Sequence, residues 1–340
     1  MAERGELLTV ADDEVVCWHG PRATRLSDLP PDTVVDTDGI NTRTLPRFGE
    51  LLCRIATVND VHFGETEAGR IGDSDEWPTF SVPEGAEPYP SVMNRSAAHD
   101  IARWDPDLVV VKGDLTSTGT MAEYEAFRSV YEPAFGSRLM VVRGNHESFH
   151  RLAVADDPFQ QRELPGVIVV LLDTSREGLP NGDLTPEQLE RLDELAARAD
   201  RPVLVFGHHP LWDASSEPRR DSTFGLLPDA SESLVATFAR RPALAGYFAG
   251  HTHRNRVVRH EACPEVPFAE VACVKDFPGA WAEYRVFDGG ILQVHRRITG
   301  TRALEWTERT RGMFGGAYPA YALGRSRDRC FVVRAPSEPT

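Results

Sequence analysis

Five short segments of the sequence concentrate side chains that can bind metal ions, and each segment follows an apolar run. Carboxylate, amide and imidazole groups occur together in them, a mixed set that suits divalent ions such as Mn, Fe or Zn. One such segment alone would be an ordinary polar loop. Five of them, four with a glycine before the polar residues, favour a shared site. The segments are NDVHFGE (59–65), GDLTSTG (113–119), GNHES (144–148), GHHP (207–210) and GHTH (250–253).

Seven residues of these segments are candidate metal ligands. Seven ligands are too many for one ion and suit two ions that share a bridging carboxylate. Two ions roughly 3.5–4 Å apart can stabilise both the attacking and the leaving oxygen of a phosphoryl displacement. None of the segments contains a cysteine, so a structural zinc site built from thiolates is not expected. The candidate ligands are Asp60, His62, Asp114, Asn145, His208, His251 and His253.

The elements that must position these segments are short apolar runs bounded by Gly, Pro, Asp or Asn. Their length and their β-branched residues predict buried β-strands. Ligands of open α/β sheets bind beyond the carboxyl ends of the strands, which is where the polar segments lie. The predicted strands span residues 52–58, 107–112, 138–143, 166–172, 202–207 and 244–250.

Helical patterns separate these strands, over residues 91–104 and 121–131 and in TPEQLERLDELAARA (185–199). In the third pattern, Thr185 and Gln188 form a predicted capping box, and Pro186 occupies the first helical position. Strands that alternate with helices predict an α/β domain in which helices flank the sheet. After residue 264 the sequence becomes β-rich, and the pair Gly289-Gly290 is expected to join two strands of a hairpin.

The overall composition is that of an ordinary globular protein of 340 residues, with 41% hydrophobic and 26% charged residues. Its formal net charge of −15 argues against nucleic acid or an anionic membrane as a partner. No apolar run reaches the ~20 residues that span a bilayer. The N-terminus lacks the basic and apolar parts of a secretory signal, so a cytoplasmic location is predicted.

The series D-x-H, GD, GNHE, GHH and GHTH, in this order and spacing, resembles the calcineurin-like metallophosphoesterase superfamily. The resemblance covers residues 51 to about 298. It implies a four-layer α/β/β/α sandwich in which two mixed sheets are flanked by helices. Residues 51–298 would form the catalytic domain, 1–50 an N-terminal β-like extension packed on it, and 299–340 a C-terminal extension that serves as a lid or a dimer segment.

The resemblance also implies a role for each candidate residue, position by position. One divalent ion is expected to be bound by Asp60, His62 and His253 and the other by Asn145, His208 and His251, with Asp114 bridging both. A hydroxide that bridges the two ions would attack phosphorus. His146 would contact the phosphate and assist the leaving oxygen, Glu147 would orient His146, and His209 would be structural rather than a ligand.

Individual motifs separate this chain from several branches of the superfamily. Serine/threonine phosphatases continue their second motif as GDxxDRG, and purple acid phosphatases have a tyrosine where this chain has Ser117. Periplasmic 5′-nucleotidases read GNHEFD, whereas this chain reads GNHESF. The phrases GDLTSTG, GHHP and FPGAWAEYRVFDGGILQVHRR are most similar to class III cyclic nucleotide phosphodiesterases, although GNHE replaces their more usual GNHD.

These similarities imply hydrolysis of small phosphodiesters, cyclic nucleotides among them, with two divalent ions as cofactors. A phosphomonoesterase of the same fold is the alternative. A third reading is a non-catalytic binding module, such as the metallophosphoesterase-fold subunit of the retromer coat. Residues 65–90 form a long loop that either covers the site or is a surface excursion. Residues 311–325 either cover the site, stack on a base, contribute to a homodimer interface or pack on their own domain.

Overall fold

Two six-stranded β-sheets face each other in the computed structural model, which describes residues 5–70, 74, 76–219 and 224–335. In the first sheet, the three strands that carry predicted metal segments run parallel, and the other three are antiparallel to their neighbours. Its strands, in spatial order, are β17 (Phe331–Arg334), β16 (Ile291–Arg297), β15 (Ala280–Phe287), β6 (Leu51–Val58), β7 (Leu108–Lys112) and β8 (Leu139–Val142).

The second sheet is also mixed, with four parallel strands in the middle and an antiparallel strand at each edge. Strands that are buried on both faces explain why the central runs are apolar throughout. The strands, in spatial order, are β13 (Arg256–His260), β14 (Cys263–Glu270), β12 (Leu244–Ala249), β11 (Val203–Phe206), β10 (Val167–Leu172) and β9 (Phe159–Leu164).

Helices cover the outer faces of both sheets. The apolar core between the sheets includes Ile55, Leu204 and Phe248, and separate cores lie between each sheet and its helices. The layers are therefore helix, sheet, sheet and helix, which confirms the predicted sandwich. The first sheet is covered by α1 (Tyr89–Trp104), α2 (Met121–Phe135) and α6 (Thr301–Thr310), and the second by α4 (Pro186–Arg198) and α5 (Pro228–Arg240); two short helices are α3 (Asn145–Phe149) and α7 (Tyr318–Leu323).

The helix boundaries follow from local sequence. The capping box of α4 is confirmed, since Gln188 N donates to Thr185 Oγ1 (3.2 Å) and Thr185 N donates to Gln188 Oε1 (2.9 Å). Helix α2 extends beyond the predicted residue 131, because the buried side chains Phe127, Tyr131 and Phe135 continue its apolar stripe. Helix α5 was not predicted from the sequence.

The N-terminal residues form a three-stranded antiparallel sheet and a separate hairpin. Thr9 Oγ1 donates to the carbonyl of His295 (2.8 Å), and Leu8 and Trp18 pack against Leu304. These contacts attach the N-terminal sheet to β16 and α6. The strands are β1 (Glu6–Val10), β2 (Val15–His19), β3 (Arg22–Leu26), β4 (Val34–Thr37) and β5 (Ile40–Arg43).

The residues after 298 are integrated into the same fold. β17 pairs with β16 at the edge of the first sheet, and Phe331 and Val333 lie in the core between the sheets. Residues 71–73 and 75 of the predicted 65–90 loop lie outside the described residues. In the part that is described, Ala68 and Phe80 exchange backbone hydrogen bonds (2.9 Å each), and α1 begins at Tyr89. Within the described ranges, no helix has the length and apolar character needed to cross a membrane.

Candidate metal centre

The five predicted segments meet where β6, β7 and β8 of the first sheet and β11 and β12 of the second sheet end. Backbone hydrogen bonds join the segments to one another. Asp60 N donates to Gly113 O (3.1 Å), His62 N donates to Asp114 O (2.9 Å), and Gly250 N donates to His208 O (2.9 Å). Both sheets therefore contribute to one cluster at their carboxyl ends, as the strand-end rule predicts.

Glycines before the polar residues permit this close approach. A Cβ on Gly144 would lie 2.2 Å from Asp114 Oδ1, and a Cβ on Gly113 would lie 2.6 Å from His208 Nδ1. Gly113 also has a φ of +87°, which side chains rarely adopt. The two positions require glycine because a carboxylate and an imidazole occupy the space that a side chain would need.

Backbone strain is concentrated at the candidate ligands. Non-glycine residues with positive φ are uncommon and are found where the surroundings hold a residue in place for function. Five of the seven candidate ligands have this conformation: Asp60 (φ 54°), His62 (46°), Asp114 (50°), His251 (68°) and His253 (56°).

The first predicted ligand group is brought together as expected from the resemblance. Asp60, His62 and His253 have ligand atoms within 4.8 Å of one another. His253 Nε2 lies 3.6 Å from Asp60 Oδ1, and the imidazole centroids of His62 and His253 are 5.4 Å apart. A single ion placed between these three side chains would contact two imidazoles and one carboxylate, which is a donor set that Mn, Fe and Zn accept.

The second predicted group lies beside the first. His208 Nε2 is 2.9 Å from Asn145 Oδ1, and the rings of His208 and His251 have centroids 5.1 Å apart. Asp114 stands between the groups, because its Oδ1 is 3.3 Å from His208 Nε2 and its Oδ2 is 3.5 Å from His62 Nε2. Its two oxygens therefore face imidazoles of different groups.

Several buried imidazole nitrogens of the cluster have no hydrogen-bond partner among the described residues. Both ring nitrogens of His62 and Nε2 of His251 are buried without a hydrogen bond there. Buried polar atoms are almost always paired, so each exception needs an explanation. A divalent ion would supply the missing partner, and the residues present therefore fit metal binding.

The ring of His208 is held in the orientation that metal binding requires. Its Nδ1 lies 2.8 Å from the carbonyl oxygen of Lys112, which can only accept, so Nδ1 carries the proton. Nε2 then faces Asn145 and Asp114. Hydrogen bonds of this kind from the distal nitrogen orient metal-binding histidines and fix the tautomer.

Burial and charge give the imidazoles different protonation states. Burial, with Lys275 nearby, lowers the pKa of His62 well below its usual value, and burial lowers the pKa of His251 to about 3. Both rings are therefore neutral at pH 7, the form that binds metal. Burial also opposes charge on His208, but Asp114 outweighs it and raises the pKa of His208 to about 9. A divalent ion would have to displace that proton.

His146 lies beside the cluster rather than in it. Its Nδ1 donates to the carbonyl of Ser117 (2.6 Å), and its Nε2 is 3.9 Å from Asp114 Oδ2. The ring centroids of His146 and His62 are 4.5 Å apart, and 34% of the His146 side chain is exposed. Nε2 is thus directed toward the cluster from its solvent side.

The structure corrects the role predicted for Glu147. Its carboxylate accepts hydrogen bonds from the backbone N and the hydroxyl of Thr116 (2.7 and 2.6 Å) and from Gly144 N (2.7 Å). Those bonds join the β7 and β8 segments, and the carbonyl of Ser117, not Glu147, orients His146. Burial, with Asp114 nearby, raises the pKa of Glu147. The side chain is buried and has no exposure to a substrate.

The ring of His209 lies beside those of His208 and His251, with centroids 4.8 and 4.9 Å away, but its hydrogen bonds are made outside the cluster. Its Nδ1 lies 2.8 Å from Thr174 Oγ1 and its Nε2 lies 3.3 Å from the carbonyl of Pro180. Burial lowers the pKa of His209 well below its usual value, so the ring is neutral. Both nitrogens are occupied, which supports the structural role predicted for this residue.

Three contributors to the site were not predicted. Asn59 Nδ2 donates to Asp60, and the neighbouring position in NDVH is the only sequence signal for that contact. The contact of His146 with the Ser117 carbonyl could not be predicted from sequence, because every residue type has the same backbone carbonyl. The ring of Phe224, 49% exposed, lies 4.5 Å from the His251 ring, and its loop carries no motif.

Residues 53–255 of the chain match the family described as Calcineurin-like phosphoesterase. The chain belongs to this family. The match spans all five metal segments, so the family assignment and the geometry concern the same residues. Membership makes the chain a metal-dependent phosphoester hydrolase.

Several curated proteins are similar over most of their length. The glycerophosphodiester phosphodiesterase GpdQ of Enterobacter lignolyticus is 28% identical over 228 residues, which cover 61% of this chain and 73% of that protein. The 3′,5′-cyclic adenosine monophosphate phosphodiesterase CpdA of Escherichia coli K12 is 28% identical over 221 residues (62% and 74%). A probable cyclic nucleotide phosphodiesterase of Rhodopseudomonas palustris is 32% identical over 196 residues (52% and 69%). The predicted similarity to cyclic nucleotide phosphodiesterases is confirmed.

A solved structure supports the fold. A dimetal phosphatase from Danio rerio superposes with a TM-score of 0.56 at 16% identity, covering 73% of this chain and 97% of that one. At this identity the likeness concerns the architecture alone. It agrees with the two mixed sheets and their helical layers.

Proposed function

We propose that this protein is a binuclear phosphodiesterase that hydrolyses small organic phosphodiesters. The observation that carries the proposal is the position of Asp114 between two groups of ligands, with one oxygen facing His208 and the other facing His62. A carboxylate in that position can bind two ions at once. A site for one ion would not need a carboxylate between two groups of ligands. The proposed ligands are Asp60, His62 and His253 for one ion, Asn145, His208 and His251 for the other, and Asp114 for both.

When bound, two divalent ions would lower the pKa of a shared water and neutralise the charge that develops on the phosphoryl group. The protein's own part is to hold the imidazoles and the ionised carboxylates in a fixed geometry. Burial raises the pKa of Asp114, but His208 and His146 outweigh burial and keep that pKa well below its usual value. Asp114 is therefore ionised at neutral pH.

His146 is the proposed catalytic residue. Because its Nδ1 donates to Ser117, its Nε2 can donate a proton only when the ring is the imidazolium. In that form Nε2 would protonate the leaving oxygen and stabilise negative charge on the phosphoryl group. Its partial exposure lets the substrate approach from the solvent side while the ligands behind it remain buried.

Relatives and site walls together favour a diester as substrate. The relatives with the similarities given above are named as phosphodiesterases. The Phe224 ring, 49% exposed, lies against the ring of the proposed ligand His251. An exposed aromatic ring beside the cluster would pack against an organic substituent, and a diester carries two of these. A cytoplasmic location and a homodimer stay predictions from the sequence.

The test combines metal content with a pair of substrates. Metal in the purified protein would be counted, and hydrolysis of bis(p-nitrophenyl) phosphate and p-nitrophenyl phosphate followed before chelation, after it and after Mn is added back. We expect about two ions per chain and metal-restored turnover that prefers the diester. Preference for the monoester would favour a phosphomonoesterase. Two ions without turnover would favour a binding module, and fewer than one ion after reconstitution would contradict the site itself.

A further inference from the structure

The C-terminal helical segment (residues 318–324) lies directly against the loop that carries His251 and His253. Tyr321 donates from its hydroxyl to Thr252 O (2.8 Å), between the two histidines. Asn255, just after them, donates from both its backbone N and its Nδ2 to Ala322 O (2.9 Å each). Three hydrogen bonds therefore connect this segment to residues 252–255.

A second connection reaches the imidazole of His253 through side chains. The Tyr318 hydroxyl donates to Asp276 Oδ1 (2.7 Å), and the Cys273 thiol donates to the same oxygen (2.9 Å). His253, Cys273 and Asp276 have polar atoms within 4.8 Å of one another. The ring of His253 thus lies between Asp60 on one side and the Cys273–Asp276–Tyr318 group on the other.

The loop itself has little regular structure to hold it. Residues 250–255 lie between β12 and β13 and belong to neither strand. His251 and His253 both have positive φ, and His253 keeps 23% of its side chain exposed. A backbone in this conformation persists only where its surroundings fix it. The C-terminal helical segment supplies contacts of that kind.

The segment is in turn anchored to the rest of the fold. The guanidinium of Arg329 donates to Leu323 O (2.8 Å) and to Leu7 O (2.7 Å), which ties the end of the segment to β1. A Cβ on Gly324 would lie 2.0 Å from Asn255 O, so the chain passes the loop at close contact. β17, which follows, is paired with β16.

We propose that the C-terminal helical segment is a positioning element for His253, with Tyr318 and Tyr321 as its positioning residues. This inference rests on the proposed function, because it takes His253 as a ligand of one of two ions. It assigns residues 318–324 a role within the chain itself, rather than that of a lid or a dimer contact. Loss of the two hydroxyls should lower the affinity for the ion that His253 binds. The affinity for the ion bound by Asn145, His208 and His251 should fall less.

The experiment compares the double variant Tyr318→Phe/Tyr321→Phe with wild type and with Tyr284→Phe. The control removes a buried hydroxyl that bonds Gln293 in the core between the sheets. Mn²⁺ titration of the metal-free protein by calorimetry should show one of two affinities reduced about 10- to 100-fold in the double variant, as for other residues that orient ligands. The control should keep both affinities.

Hydrogen exchange of the metal-free protein gives a readout that does not depend on metal. Amides of residues 251–255 should exchange faster in the double variant than in wild type and the control, while those of β11 should not change. Unchanged exchange of that loop, or two wild-type affinities in the double variant, would overturn the positioning role. If wild-type protein bound no ion but the loop still loosened, the proposed function would fail and the positioning contact would stand.

Discussion

Two clusters of buried polar side chains differ in how their polar atoms are satisfied. One is an ion-pair cluster between the N-terminal sheet and the outer face of β15 and β16. In it, charged side chains face partners of opposite charge, and its members are Asp12, Glu14, Glu283, Arg285 and Arg296. Arg285 Nε and Arg296 Nε donate to the two oxygens of Glu283 (2.7 and 2.8 Å), and the same arginines pair with Asp12 and Glu14.

The metal cluster has a similar degree of burial but incomplete pairing. His62 and His251 leave ring nitrogens without hydrogen-bond partners in the described part of the chain, and the backbone has positive φ at several ligands. The ion-pair residues have neither feature, since none of the five has positive φ or an unpaired polar atom recorded among the described residues. Burial of charge alone therefore does not mark a functional site here. The feature that marks the functional site is the combination of unsatisfied polar atoms and a strained backbone.

The largest expected effect comes from Asp114→Asn, a change in the metal cluster that should affect metal content and activity. The neutral amide cannot serve two cations, so metal content should fall below one ion per chain. Turnover of the diester should fall at least about a thousandfold, because the ions provide several kcal/mol of transition-state stabilisation. Metal analysis and initial rates would check this. A variant with two ions and wild-type rates would remove Asp114 from the bridging position.

Glu283→Gln should have the opposite pattern, with a loss of stability and no loss of metal. Removing one partner of a buried ion pair leaves uncompensated charge and costs about 3–5 kcal/mol. Glu283 is fully buried and faces two arginines, so the free energy of unfolding in urea should fall by about that amount. Metal content should stay as in wild type. Loss of metal in this variant would show that the clusters are coupled.

The same variant should reveal a pH dependence. Burial raises the pKa of Glu283, but Arg296 and Arg285 outweigh burial and lower the net value. A carboxyl with a lowered folded-state pKa adds stability above its unfolded pKa of about 4.3 and loses it as pH falls further. The stability difference between wild type and Glu283→Gln should therefore be full at neutral pH and shrink below about pH 4. A difference that grew on acidification would contradict this sign.

His146→Ala tests whether the residue beside the metal cluster acts on the substrate rather than on the ions. Loss of a general acid typically costs 10²–10⁴-fold, so turnover should fall by at least about a hundredfold. Metal content should remain near wild type, because Nε2 of His146 is not among the proposed ligands. His99→Ala, on the exposed side of α1, is the control and should retain full activity. Full activity of His146→Ala would exclude the assigned role.

The sequence predicted the metal cluster far better than the ion-pair cluster, for a physical reason. Each metal segment is a local signal, a polar residue after an apolar strand, and the strand-end rule brings such signals together. The pairing of Asp12 with Arg285 joins residues 273 positions apart and leaves no local pattern. The same limit applies to the C-terminal helical segment, whose contact with residues 252–255 depends on how the tail crosses the fold. The role predicted for Glu147 was wrong because its nearness in sequence to His146 does not direct its side chain.

The smallest expected effect is on the free energy of unfolding, and it comes from one of two arginines that contact the same carboxylate. Arg25 and Arg296 both pair with Glu14, but the Arg25 side chain is 50% exposed and that of Arg296 is 11% exposed. Arg25→Ala should change the free energy of unfolding by no more than about 1 kcal/mol, the usual range for an exposed ion pair. Arg296→Met, which leaves Glu14 and Glu283 short of a buried partner, should cost several times more. Neither should change metal content. Equal losses from the two arginines would mean that burial does not determine what the ion-pair cluster contributes.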